Sequence, residues 1–234
     1  MNMQSSALSD GISTANPKQL KFFKANNRFV AYGGARGGGK SWALQRKITM
    51  LCMWYSGIKI LLLRRTYPEL QENHINTLSA LLKGVAEYKA TEKTFIFVNG
   101  SRIKCGYCKA ESDVLQYQGQ EYDIICIDEA TQFTEYQFET LTACMRCAND
   151  FPKRMYLTCN PGGVGHEWVK RLFISKRYKP SEKPEDYAFV PATVFDNTVL
   201  LEKDPGYVNM LNNLSDGLRE AWRDGNWDML AGQY

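Results

Sequence analysis

No stretch of this sequence approaches the roughly 18 consecutive apolar residues of a spanning helix, so the chain reads as one without a membrane partner. No charge of one sign dominates either. Basic residues number 29 and acidic residues 25, and the net charge of +4 is too mild to demand a nucleic-acid partner, though it does not exclude one. Internal repeats and low-complexity tracts are missing, and a composition of 44% hydrophobic and 23% charged residues excludes collagen-like, wholly disordered and coiled-coil classes. Met1–Ala15 lacks the basic-then-apolar pattern of a signal peptide and reads as a flexible tail. An even cysteine count is also lacking: seven cysteines argue for thiols in a reducing compartment.

Two Cys-x-x-Cys pairs, Cys105/Cys108 and Cys144/Cys147, invite a zinc reading. Cys105 lies in an alternating stretch after an Asn99-Gly100 hairpin turn, and strand residues three apart point to opposite faces, so that pair does not converge on one ion. Cys144 and Cys147 can share a helix face, but two ligands do not make a structural site.

What the chain does have is an ordinary globular composition, 44% hydrophobic and 23% charged over 234 residues. At roughly 100–200 residues per domain this is one large domain, or one domain with a small appendage. Asn16-Pro17-Lys18-Gln19 carries a helix start, with an N-cap, a proline at the first position and a glutamine three residues after the cap. Strands are expected over Arg28–Tyr32, Ile58–Leu63, Ile124–Ile127, Arg154–Thr158 and Tyr187–Thr193, and a hairpin over Thr94–Val98 and Arg102–Tyr107. Helices are expected over Ser41–Tyr55, from Pro68 to about Lys83, and from about Thr134 to Cys147. Alternation of this kind implies an α/β fold with a mainly parallel sheet flanked by helices. Near the C-terminus the pattern changes to short helices punctuated by glycines, read as a small helical lid or hinge subdomain; the boundaries expected are a tail to 15, a core over 16–200 and the appendage over 201–234.

Gly34-Ala35-Arg36-Gly37-Gly38-Gly39-Lys40-Ser41 matches G-x-x-x-x-G-K-[ST], directly after a strand and directly before a helix. Glycines let the backbone curl so that successive N–H groups face phosphate oxygens, and the following helix presents its positive end to the same anion. Lys40 is then expected on the β- and γ-phosphates and the Ser41 hydroxyl on Mg²⁺. The apolar strand Ile124–Ile127 ends in Asp128-Glu129, where ligands bind in parallel sheets. Asp128 is expected in the Mg²⁺ shell and Glu129 as the group that orients or deprotonates water. An acid in that second position favours an ATPase over a kinase. The strand Met155–Thr158 runs into Cys159-Asn160, and Thr158 or Asn160 is expected to hydrogen-bond the γ-phosphate or the water. The fold expected is therefore a P-loop NTPase of the RecA/ASCE type with ATP and Mg²⁺ as cofactors.

Taken together, these residues resemble the ATPase part of tailed-phage terminase large subunits. The resemblance rests on Gly33 to Ser41 with an arginine inside the loop, on Leu63-Arg64-Arg65-Thr66-Tyr67-Pro68-Glu69-Leu70, and on Tyr117 to Asp123 leading into Ile127-Asp128-Glu129-Ala130. Its last part is a hinge-like segment of Asp196-Asn197, Gly225-Asn226-Trp227-Asp228 and Gly232-Gln233-Tyr234. The resemblance implies a motor that packages double-stranded DNA into procapsids, and that Arg36 helps trigger hydrolysis. It also implies that Thr158 and Asn160 couple hydrolysis to domain movement and that Gln19 contacts adenine. A portal protein, a small terminase subunit, a homo-oligomeric ring when assembled and the host cell cytoplasm are implied too, with a monomer left open for the isolated domain. A neighbouring subunit is expected to supply an arginine. Gln118 stands where some relatives have one, and Arg102 and Arg146 are candidates. The resemblance stops at the hinge, so the following nuclease domain and nuclease activity are not expected.

Lys170-Arg171 and Lys176-Arg177 belong to a basic run that reads either as a surface tracking DNA phosphates or as a solvated face beside an apolar one. The other function classes fit less well. A helicase-like or recombinase-like DNA-dependent ATPase is the alternative, but common helicases carry a second RecA-like domain. A small-molecule kinase needs an arginine-rich lid, and Leu218–Trp227 supplies only Arg219 and Arg223. A non-enzymatic nucleotide-binding module has no need of Glu129.

Overall fold

The chain's short apolar runs become the strands at the middle of its sheet, where both faces are covered and alternation is not required. The structure, a computed structural model, describes residues 14–229. The expected tail up to residue 13 and the closing Gly232-Gln233-Tyr234 lie outside the described residues. The strands are β1 (Phe29–Gly34), β2 (Lys59–Arg64), β3 (Ala86–Lys89), β4 (Thr94–Phe97), β5 (Arg102–Tyr107), β6 (Ile124–Ile127), β7 (Arg154–Cys159) and β8 (Tyr187–Ala192), hydrogen-bonded in the order β3-β4-β5-β2-β6-β7-β1-β8. Pairing is parallel for β1 with β8 and for β2 with β5 and β6, and antiparallel for β3 with β4 and β4 with β5. The mainly parallel α/β architecture expected from the sequence is the one observed.

The chain divides into two compact units. The first comprises Ser41–Asp128 and Tyr136–Tyr156. Its core is built from Ile60, Leu61, Leu62 and Leu63 of β2, Ile103 of β5 and the whole of β6, all essentially inaccessible. Each such side chain contributes about 1.5–3 kcal/mol of burial. The Asn99-Gly100 turn joins β4 to β5 as expected, with Gly100 at φ +81°. Strand β3 is an addition that the sequence did not announce: Ala86-Glu87-Tyr88-Lys89 is polar and half-exposed. The helix expected from Pro68 is real but interrupted, running over Tyr67–Leu70, a π-helical turn at Gln71–Ile75, and Asn76–Leu81. The helix expected to reach Cys147 ends at Ala143, where the chain turns and the Cys144 carbonyl accepts from Tyr122 N–H at 3.0 Å.

The second unit comprises Asn16–Lys40, Glu129–Glu135 and the chain from Leu157 onward. Its first helix, Pro17–Lys24, is capped reciprocally: Asn16 Oδ1 accepts from Gln19 N–H, and Gln19 Oε1 accepts from Asn16 N–H, both at 2.9 Å. Strand β1 is buried at all six positions, and the Phe22 and Tyr32 rings stack at 5.1 Å beneath it. Short helices follow β8, at Thr198–Lys203, Gly206–Asn212 and Asp216–Trp222. Among the described residues no helix is long and apolar enough to cross a membrane. All seven cysteines are thiols outside disulfides, and burial pushes Cys105 and Cys108 up to about 12.

Candidate functional site

The glycine-rich loop after β1 is fixed in the second unit by hydrogen bonds between its backbone and distant segments. Ala35 N–H donates to Ala192 O at 3.0 Å, as the Gly34–Ala192 register of β1 with β8 prepares, and Arg36 N–H donates to Trp222 O at 2.8 Å. Asn197 Nδ2 donates to Gly37 O at 2.7 Å, the Tyr32 hydroxyl to Gly38 O at 3.2 Å, and Gln19 Nε2 to Gly39 O at 3.2 Å. Burial, with Asp196 nearby, pushes the Tyr32 phenol up, so it stays a donor. Gly39 takes φ +71°, and a Cβ there would lie 2.6 Å from Gln19 Nε2. The positive φ favours glycine at this position, and a larger residue would also displace the Gln19 amide from the loop. Lys40 Nζ donates to Ala35 O at 2.5 Å, so the lysine folds over the loop it closes. The Arg36 guanidinium lies over the Trp222 ring, 3.4 Å from its centroid.

Gln19 thus sits on the loop, with its amide shared between its own helix cap and Gly39. Asn197 and Trp222 support the loop equally, and neither stood out in the sequence as a site residue. Asn197 also caps the helix Thr198–Lys203 through Leu200 N–H, and an N-cap asparagine is the signal that marks its position.

In the same unit Glu129 follows the acid strand in the left-handed region, at φ 57° and ψ 57°. For a non-glycine residue this conformation costs about 1–2 kcal/mol and is retained where its surroundings enforce it. They do so here. Glu129 N–H donates to Thr158 Oγ1 at 2.9 Å, and Asn160 Nδ2 donates to both carboxylate oxygens, at 3.0 and 2.9 Å. The three residues named at two strand ends therefore converge, with Thr158 and Asn160 placed on Glu129.

The first unit carries the other acid. Leu63 and Ile127 are register partners on parallel neighbours, so Arg64 and Asp128 leave β2 and β6 side by side, and Asp128 N–H donates to Leu63 O at 2.9 Å. The Asp128 side chain is fully buried. Oδ1 accepts from Ser41 Oγ at 3.1 Å, while Oδ2 accepts from Arg64 Nη1 and lies 2.9 Å from His74 Nε2. Ser41 and Asp128, paired in the sequence argument, are in contact. Arg64 was visible within a motif but without a role, and His74 gave no signal at all. Hard oxygen donors of this kind suit Mg²⁺, and the residues fit it.

The basic run does not form one uniform face. His166–Val169 is helical, and a π-helical turn at Lys170–Ile174 follows. Arg171 is held by Glu182 at 2.8 and 2.9 Å and by Glu135 at 3.0 Å, with Lys179 also on Glu135 at 3.1 Å. The hydrogen bonds from Arg171 hold the Glu182 carboxyl low. At Glu135 burial works upward, but Lys179 and Arg171 outweigh it and hold that carboxyl low as well. Lys170 pairs with Asp228 at 2.7 Å. Lys176 and Arg177 are exposed. In the first unit, Gln118 and Arg102 are exposed, and Arg146 reaches Glu121 at 3.7 Å.

The family model for the phage terminase large subunit matches residues 25–224. The chain belongs to this family. Solved terminase structures share its fold. The large terminase of a thermophilic bacteriophage gives a TM-score of 0.73 at 18% identity, covering 91% of this chain and 53% of that one. The same phage's large terminase has also been solved in complex with ADP, with a TM-score of 0.73 at 19% identity, covering 91% of this chain and 54% of that one. The large terminase ATPase domain of Thermus phage P74-26 gives a TM-score of 0.63 at 12% identity, covering 92% of this chain and 94% of that one. The chain thus spans about half the length of the thermophilic phage's large terminase. No curated protein matches the sequence.

Proposed function

We propose that this chain is the ATP-hydrolysing motor part of a terminase large subunit, driving double-stranded viral DNA into procapsids. The observation that carries hydrolysis, as against nucleotide binding alone, is Glu129 held in a strained backbone conformation with Asn160 donating to both of its carboxylate oxygens. Membership of the terminase family favours packaging over a helicase-like or recombinase-like ATPase.

In this reading the phosphates of ATP lie on the loop Gly34, Ala35, Arg36, Gly37, Gly38, Gly39, Lys40, with Gln19 beside it. The N–H groups of Ala35 and Arg36 already donate to Ala192 and Trp222, so the phosphate donors come from Gly37 onward, together with the Lys40 ammonium. Ser41 and Asp128 would hold Mg²⁺, which would supply charge neutralisation to the nucleotide. Glu129 orients the attacking water and takes its proton, and Asn160 keeps the carboxylate aimed. Arg36, stacked on Trp222, senses the phosphates, and Thr158 and Asn160 carry the change in Glu129 into β7. A portal protein and a small terminase subunit are the further partners, and a ring of copies in the host cytoplasm is the working state, with an arginine acting across subunits for which Arg102 and Arg146 are candidates.

The test is nucleotide turnover with and without double-stranded DNA, in the wild type and in Glu129→Gln. We expect a loss of turnover of about a hundredfold or more in the variant, with ADP binding retained. Turnover that survives the substitution overturns the mechanism.

A further inference from the structure

The Asp128 carboxylate has a second set of partners, and their arrangement points beyond structural pairing. His74, one of two histidines in the chain, has no solvent exposure and sits in the π-helical turn Gln71–Ile75. Such turns are rare and concentrate at functional sites. His74 Nε2 lies 2.9 Å from Asp128 Oδ2. On its other side, Gln45 Nε2 lies 3.2 Å from Nδ1 and donates to Asn73 O at 2.8 Å. The Asn73 carbonyl fixes which end of the Gln45 amide faces the ring, so Nδ1 accepts and the ring proton sits on Nε2, pointing at Asp128. Gln45 follows Ser41 by four residues on the helix Lys40–Trp54, so one helix face reaches Asp128 twice, directly through Ser41 and indirectly through His74.

We propose that His74 is a positioning residue for the metal ligand Asp128. The inference rests on the reading of Ser41 and Asp128 as the Mg²⁺ ligands. Oδ2 receives both Arg64 and His74, while Oδ1 is the oxygen nearer Ser41 Oγ, on the side of the other residue that would hold the ion. Arg64 and His74 divide the work. Arg64 brings a positive charge that opposes a divalent cation. His74 in this tautomer brings a directed donor without charge, fixing the carboxylate's rotation at no electrostatic cost to the metal. Outer partners of this kind govern metal affinity about 10- to 100-fold.

The test uses Mn²⁺ as the probe, its binding followed by electron paramagnetic resonance with saturating ADP, and ADP binding measured separately in EDTA. Expected is a rise of about 10- to 100-fold in the Mn²⁺ dissociation constant for His74→Ala, most of it recovered in His74→Gln, whose amide N–H still donates, with ADP affinity in EDTA unchanged in both. A merely structural role lowers the melting temperature without moving the Mn²⁺ constant of the folded protein. Unchanged Mn²⁺ affinity in folded His74→Ala therefore overturns the proposal and leaves the nucleotide reading standing. A wild type that binds no ADP overturns that reading. Nitrogen NMR of the wild-type imidazole needs no variant to fold. The Nε2-protonated tautomer, persisting when Mg²⁺ and ADP are added, is the expected signature, and a ring protonated on Nδ1 alone overturns the proposal.

Discussion

Lys47 is 2% exposed on the helix Lys40–Trp54, its ammonium 5.1 Å from the centroid of the Tyr156 ring. Burial, with Arg154 adding repulsion and Cys126 opposing it, lowers the lysine to about 8. In the unfolded chain it titrates near 10.5. The folded state therefore disfavours the charged form, and at pH 7 it carries a penalty that is relieved as pH rises. Between pH 8 and 10.5 the unfolded chain binds more protons than the folded one, so stability climbs through that window. At about 1.4 kcal/mol per unit, the penalty at pH 7 is roughly 3 kcal/mol. Replacing Lys47 by methionine keeps the volume and removes the penalty together with the ammonium's contacts, the Tyr156 ring among them. Lys47→Met should then be more stable than wild type at pH 7, with the advantage gone above pH 10.5. Urea unfolding of both proteins at about pH 7, 9 and 10.5 reads this directly, because groups common to both cancel in the difference. A methionine variant no more stable at pH 7, or an advantage independent of pH, refutes the argument that the buried ammonium is a net cost.

Asn160→Ala should lower the turnover number about 10- to 100-fold with little change in KM, because it frees the Glu129 carboxylate without touching the loop; steady-state kinetics decide, and an altered KM alone would place Asn160 in binding. Neutralising Lys176 and Arg177 should reduce the salt slope of DNA binding by about two, one per lost phosphate contact, whereas Arg171→Ala should lower the melting temperature by exposing Glu135 and Glu182 to each other and leave the slope unchanged. Fluorescence anisotropy across a salt series, beside thermal unfolding, separates the two.

The parts of the molecule legible in the sequence are those whose information is local. The loop Gly34–Ser41, the acids after β6, the Asn99-Gly100 hairpin and the Asn16–Gln19 cap each lie within a few consecutive residues, and each formed as expected. Arg64 and Asp128 met through strand register, which depends on pairing between segments 64 residues apart. His74 depended on a π-helical turn for which no residue pattern is diagnostic. Within the basic run, Arg171 reads as a surface charge until Glu182, 11 residues on, and Glu135, 36 residues back, take it. Strand β3 was hidden because an exposed edge strand does not need the apolar alternation that announces one.

The loop's attachment to Ala192, Asn197 and Trp222 has a consequence for the order of events on the ribosome. Gly37 and the Asn197 amide that holds its carbonyl are separated by 160 residues. At about 5–20 residues per second, synthesis of that interval takes roughly 8–30 s. A nascent chain therefore possesses the glycine-rich loop's sequence long before it possesses the shape, and the loop's final conformation marks completed folding of the second unit and not merely emergence of its first strand.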